Sequence, residues 1–324
     1  MYDVLAPVMY VVFIKSVCRS HDFDLLEFLA KFYVFTYVVF MVVYGRGFSF
    51  SLAEVVMDDY GPFSGDSRII HARSIFMMII PLLWYLHQYL SYKKLIPGLL
   101  FLFCAGVILI HQHRSVWSSA ILSVAIYLGA SIRAKRIKLS SIGSFVAYGV
   151  ILLSILLFFV SSIAPGFLEF MGDRFSEILN PSKEGGTGSF RFLQRETYSK
   201  LAMQHPYFGW TFKGFEMPNP LVDWWPAMSG QHFHEGYVEM LFYHGIVGLI
   251  FKYSFLIYLI FKIFSKKLSA EAIIMSALCL SGLLFSFSYV LPLIFWGHVG
   301  LALYYIERDD TAWKNRFSTI SHKI

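Results

Sequence analysis

Long uninterrupted apolar runs constrain this chain more than any other feature. They recur from one end of the sequence to the other, and each is about as long as the ~20 residues a helix needs to cross a ~30 Å hydrocarbon core. Such a chain cannot hide its apolar surface in a soluble core. Its composition agrees, with 57% hydrophobic and 15% charged residues, against roughly 25% charged in an ordinary soluble domain. Every backbone polar group inside a bilayer must find a partner, so only helices and closed barrels cross it. A barrel would alternate polar and apolar residues over roughly ten positions per strand, and the sequence does not. The expected fold is an all-α integral membrane protein, a polytopic helical bundle.

Nine membrane segments are predicted, each bounded by the nearest charge or turn cluster: 4–17, 29–44, 74–92, 95–111, 115–132, 143–165, 236–261, 270–288 and 290–306. Lys and Arg crowd every second connection, as the positive-inside rule requires of cytoplasmic loops. Lys15, Arg19 and Lys31 mark one, Lys93 and Lys94 the next, then Arg133, Lys135, Arg136 and Lys138, then Lys262, Lys266 and Lys267. The tail 307–324 is basic too, which places the C-terminus in the cytoplasm and the N-terminus outside. This accounts for the net charge of +6 without invoking nucleic acid. The first segment is short for a full crossing, and Lys252 inside the seventh must either snorkel or face a polar interior. Cys18, Cys104 and Cys279 fall in or beside apolar runs and read as packing residues, and no cleavable leader is expected.

Two long connections are left on the outside, 45–73 and 166–235. The second, at about 70 residues, far exceeds what joining two helices requires. It is too rich in aromatic and aliphatic residues to be a disordered linker. The domain reading is therefore an N-terminal bundle 1–165, a large outer loop 166–235, C-terminal segments 236–306 and a cytoplasmic tail 307–324. Within the loop, Ser189 is placed to cap a helix running to about Gln204, which Pro206 stops. Phe190, Leu193, Thr197 and Leu201 would share one face of it, with Arg191 and Arg195 projecting together beside that face.

Those two arginines are the first candidates for chemistry, because guanidinium groups match phosphate oxygens and stay charged. The plainer reading pairs them with nearby carboxylates or lipid phosphates. His232 and His234 stand just before the seventh segment, where a histidine serves as a general base; an ordinary interfacial role is the alternative, and a metal site has no characteristic spacing to support it. Glu235 and Glu239, four apart, begin that segment as further base candidates, or as favourable charges at a helix N-terminus. Arg114 is basic in a very short outer connection, against the orientation rule, so it joins the substrate-binding candidates unless it merely snorkels. Trp210, Trp224 and Trp225 are either sugar-stacking platforms or part of an aromatic belt. Arg46, Arg68 and Arg73 in the shorter outer loop are weaker candidates.

Taken in order, these residues resemble a known family. Ser189-Phe190-Arg191, then His205-Pro206-Tyr207-Phe208-Gly209, then His234 followed by Gly245-Ile246-Val247-Gly248, with Arg114-Ser115-Val116-Trp117 upstream, resemble the O-antigen ligase and Wzy-type polymerase superfamily over roughly 95–265. Phe190 stands where the family often has glycine, Glu235 where it has asparagine, and Thr211 where it has a second glycine. The resemblance implies a GT-C-like membrane glycosyltransferase of the bacterial inner membrane. It would move a glycan from undecaprenyl pyrophosphate to an acceptor glycan or glycolipid hydroxyl, with inversion and without metal or cofactor. Arg191 would map to the family's loop arginine and His234 to its loop histidine, and other polysaccharide assembly proteins would be further partners. Two rivals from other classes remain: a lipid-linked oligosaccharide transporter, and a non-catalytic assembly subunit whose loop docks partners.

Overall fold

The computed structural model describes residues 2–44, 70–111, 113–163, 166, 172, 188–221 and 233–321. The described residues contain helices and no strand. In chain order the helices are α1 (Tyr2–His21), α2 (Leu26–Tyr44), α3 (Ala72–Met77), α4 (Ile79–Tyr92), α5 (Leu95–Ile110), α6 (Arg114–Arg133), α7 (Leu139–Ile163), α8 (Gly188–Ala202), α9 (Gly236–Ser265), α10 (Ala270–Phe285) and α11 (Leu293–Ser321). A 3₁₀ turn at Thr211–Glu216 lies between α8 and α9. Among the described residues, five stretches are long and apolar enough to cross a membrane: Tyr2–His21, Leu26–Val43, Ala72–Tyr92, Arg114–Arg133 and Gly236–Ser265. Leu95–Ile110 and Ala270–Phe285 are apolar but shorter. The chain is a helical membrane protein.

Two compact units divide it. One comprises Met1–Asp24, Leu122–Ala134 and Phe190–Ile324; the other comprises Leu25–Ile121 and Lys135–Ser189. In the second, α4 packs against α2, α5 and α7. Its end is tied by side chains: the Trp117 indole donates to the Ile108 carbonyl at 2.8 Å, and His113 Nε2 lies 2.9 Å from the Ile70 carbonyl.

The first unit carries the candidate site. Its centre is α10, buried on nearly all sides from Ala272 to Gly282, as a helix apolar all round should be. α11 packs against α10 and α1 through small residues: a Cβ on Gly300 would meet the Val11 carbonyl at 2.5 Å, and one on Gly297 the Tyr10 ring at 2.6 Å. Close helix approach of this kind supplies the packing that lipid, as apolar as leucine, cannot drive.

One end of this unit is a lattice of charges. Lys15 and Arg19 each lie 3.0 Å from Glu307, Lys262 lies 3.0 Å from Asp310, and Lys266 pairs with the same carboxylate. Arg308 reaches Asp24 and Glu271, at 3.7 and 3.5 Å. The Arg133 guanidinium donates to the carbonyls of Ile263, Phe264 and Lys266, closing the C-terminal end of α9.

Three expectations change. The first segment is not short: α1 is 20 residues long, because Lys15 and Arg19 have Glu307 as partner and do not end the helix. The tail read at 307–324 continues α11 as far as Ser321. The seventh segment is not one straight crossing, for α9 breaks at Gly245 (φ 62°, ψ −164°).

Candidate active site

The break in α9 explains the two glycine motifs. On either side of it the helix folds back on itself: Met240 Sδ lies 3.3 Å from Lys252 Nζ, and a Cβ on Gly236 would lie 3.2 Å from the Tyr253 hydroxyl. The two halves thus make a V with Gly245 at the apex. Such a break strands N–H and C=O groups that must be satisfied, and the segment 206–210 satisfies them. The carbonyls of Pro206 and Tyr207 accept from Ile246 N and Val247 N at 2.8 and 3.1 Å, and Trp210 N donates to the Phe242 carbonyl at 2.9 Å. The His205–Gly209 motif is thus spliced into a helix that comes later in the chain.

Side chains would block that splice. Gly209 and Gly245 both have positive φ, at 64° and 62°. A Cβ on Gly209 would sit 2.4 Å from the Tyr243 carbonyl carbon, and one on Gly245 2.5 Å from that of Tyr207. Thr211, which departs from the family pattern, has a role here: its hydroxyl donates to the Tyr243 carbonyl at 2.5 Å and lies 3.3 Å from His244 Nδ1.

α8 docks on this framework by one face. Tyr198 is fully buried, with its ring edge-on to Phe233 and Phe242 at 4.7 and 4.9 Å, in a cluster with Leu221 and Val238. Its hydroxyl donates to Asn219 at 3.3 Å, and burial pushes the phenol up to about 12. One turn earlier, Gln194 Oε1 accepts from the backbone N–H of His234 at 3.1 Å. Arg195 makes two bonds to Glu235, at 2.8 and 2.5 Å. The hydrogen bonds to Glu235 hold the Arg195 guanidinium's pKa above its usual value. Glu235 is almost wholly buried and Arg195 about half exposed. Another turn up, the Arg191 guanidinium lies 4.9 Å over the Tyr289 ring.

The expected apolar stripe is therefore displaced. Leu193 and Leu201 lie on its partly buried flank, and the face buried deepest runs through Gln194 and Tyr198. Polar residues occupy it because each has a partner there, His234 N for Gln194 and Asn219 for the Tyr198 hydroxyl, which hydropathy along α8 alone does not show.

The two arginines have different surroundings. Arg195 is committed to Glu235. Arg191 makes no ion pair among the described residues, and its Nε is buried without a hydrogen-bond partner there. His234 is held between Phe233 and Glu235, both buried. Trp210 is a pillar of the splice: its indole donates to the Leu201 carbonyl at 2.9 Å, and its ring meets His205 at 4.4 Å. Glu239 lies on the first half of α9, within electrostatic reach of Lys252. Lys252 itself is 5% exposed and 5.7 Å from the Trp296 ring, so it faces the protein interior. Arg114 opens α6, in the other unit. Trp224, Trp225, His232, Arg46 and Arg68 lie outside the described residues. Among the described residues no group of three or more His, Cys, Asp or Glu side chains gathers to hold a metal.

Gln194, Tyr289 and Asp3 were not singled out in the sequence. Asp3 Oδ2 lies 3.8 Å from His244 Nε2, a contact across most of the chain's length with no local signal. Gln194 has one, since it lies three residues after Arg191 and so shares its face.

Comparison with known families bears on the same residues. Residues 99–253 match the O-antigen ligase family. The resemblance seen in the motifs is established over that stretch, which carries Arg114, all of α8, His234, Glu235, Glu239 and the Gly245 break. No curated protein and no solved structure matches the chain. The O-antigen ligase stretch thus includes both partners of the splice and both partners of the Arg195–Glu235 pair.

Proposed function

We propose that the chain is a glycosyltransferase that moves a glycan from undecaprenyl pyrophosphate onto an acceptor hydroxyl at the outer face of the bacterial inner membrane. The O-antigen ligase match supports a transferase of lipid-linked glycans, and the state of Arg191 carries the finer reading. A guanidinium with no carboxylate partner among the described residues, on a helix fixed at three successive turns, suits an anionic ligand.

In the reaction the acceptor oxygen attacks the anomeric carbon as the bond from that carbon to the pyrophosphate oxygen breaks. The electron pair leaves with the pyrophosphate, where Arg191 stabilises the charge. The acceptor proton passes to His234, whose backbone Gln194 holds. One displacement inverts the anomeric centre and requires no metal. Arg195 and Glu235, engaged with each other, act as positioning residues that fix α8 against the start of α9. Glu239 is the remaining carboxylate base candidate. Arg114, His232, Trp224 and Trp225 stay as substrate-binding candidates, with the loop 166–235 outside, the nine segments crossing and the C-terminus in the cytoplasm.

Replacing Arg191 or His234 by Ala should abolish long surface glycan while the protein still reaches the membrane. Glycan of normal length in both variants would remove the enzymatic assignment. The species left in a deletion strain separates the two activities: single repeats on the lipid acceptor mark a lost polymerase, which we favour, and free carrier-linked polymer a lost ligase.

The broken α9 with its buried Lys252 favours a second reading, because interrupted helices with polar residues at membrane depth also build transporters. Reconstituted protein that joins purified carrier-linked repeats supplied on one side of the vesicle excludes it. Carrier movement without joining would establish it.

A further inference from the structure

The segment that splices α9 also presents an exposed aromatic surface that the proposed reaction leaves unused. Met203, Tyr207, Phe208 and Phe212 point away from the protein, Phe208 with 59% and Phe212 with 72% of its surface exposed. Tyr207, Phe208 and Phe212, with Lys213, border an open groove of about 700 Å³.

Three observations identify what covers this surface. It is continuous with the flank of the spanning helix: Tyr207 is bonded through its carbonyl to Val247 N, and Ile246, Val247, Ile250 and Phe251 carry the exposed apolar surface onward down α9 as far as Phe264. Its depth follows from length. The roughly 20 residues from Ile246 to Ser265 rise about 30 Å, the thickness of the hydrocarbon core, and the Lys262–Lys266–Asp310 lattice marks the far end. Gly245, and with it Tyr207 and Phe208, then falls at the opposite hydrocarbon boundary.

The backbone is the third observation. Irregular chain tolerates the membrane boundary only where its polar groups are paired. Here the Pro206 and Tyr207 carbonyls accept from α9, Gly209 N donates to the His205 carbonyl at 2.9 Å, and Trp210 N donates to Phe242. Proline 206 has no N–H to satisfy. A sugar-binding groove would present hydrogen-bonding side chains along its length, whereas here Gln204, His205 and Lys213 stand beside Tyr207, Phe208 and Phe212, and exposed aromatic rings next to a lysine are the composition of an interface belt.

We propose that Met203–Lys213 is an interfacial anchor seated at the headgroup–acyl boundary of the bilayer, with Phe208 and Phe212 against lipid chains and Lys213 at the phosphates. The anchor sets the depth of the residues spliced to it, and it does not depend on which reaction the site performs.

Nitroxide labels report this directly. In a variant whose buried cysteines, Cys18, Cys104 and Cys279, are replaced by Ala, labels are placed singly at Phe208, Phe212, the lipid-facing control Phe261 and the exposed control Glu196. The labelled proteins are reconstituted in phosphatidylethanolamine–phosphatidylglycerol vesicles. Accessibility is compared for oxygen, which concentrates in lipid, and a nickel chelate, which stays in water. The anchor requires the oxygen-to-nickel ratio at 208 and 212 to come within about twofold of that at 261. Ratios like that at 196 would place the groove in water, and protection from both agents would show a protein cover. Either result overturns the proposal.

Discussion

Arg191 and Arg195 differ by one helical turn and by everything that surrounds them. If Arg191 binds a pyrophosphate whose charge grows as the bond breaks, Arg191→Ala should lower kcat on the order of 10²-fold or more, as loss of one preorganised donor does. Arg191→Lys should recover only part, since a point charge cannot match two oxygens at once. Arg195 should behave differently. Arg195→Ala leaves the buried Glu235 without its cation and should lower stability by roughly 2 kcal/mol, less than a fully buried pair loses because Arg195 is half exposed. Arg195→Met combined with Glu235→Leu should be more stable than Arg195→Ala alone, which a double-mutant cycle on thermal unfolding in detergent measures. Sequence spacing put both arginines on one side of α8. It could not distinguish them, because Glu235 approaches from forty residues away.

At the scale of the helix, the test is whether α9 requires the loop that completes it. Gly245→Ala and Gly209→Ala each force a Cβ into backbone with φ near +60°. Each should cost at least about 1–2 kcal/mol from conformation alone and more from the overlap. The two changes should be far from additive, because either one opens the same splice; unfolding temperatures of the single and double variants decide it. Hydropathy located the helix at Gly236–Ser265 closely, since apolar length is a local property. The break was not legible, because one glycine in an apolar run reads as a packing residue until its φ is known. The motif order did point there: the glycines at 209 and 245 belonged to the family resemblance, and the structure supplies the reason they occur together. Trp210, read as a sugar platform or belt residue, has its indole bonded to Leu201 and its ring against His205.

Across the whole chain, the alternation of basic connections was legible because positive charge is sorted by loop and not by fold. The structure gathers Lys15, Arg19, Arg133, Lys262, Lys266 and Arg308 at one end of the first unit, each with an acidic or carbonyl partner there. That lattice gives a pH prediction. Burial opposes ionisation of Asp310, but the ammonium groups of Lys266 and Lys262 prevail and hold its carboxyl below the ordinary value of 3.8. A carboxyl lowered on folding stabilises the protein above its unfolded pKa, and that stability is lost as pH falls through the folded value. Detergent-solubilised protein should therefore lose melting temperature below about pH 4, and Asp310→Asn should flatten that limb while lowering stability at neutral pH. If the acid limb is unchanged in the variant, the lattice does not contribute in this way. The splice has a temporal consequence as well. Pro206 and Tyr207 leave the ribosome some forty residues ahead of the amides they serve, so a receptor for the break in α9 exists before that helix is made, and an error in the earlier segment would be inherited by a helix whose own sequence is intact.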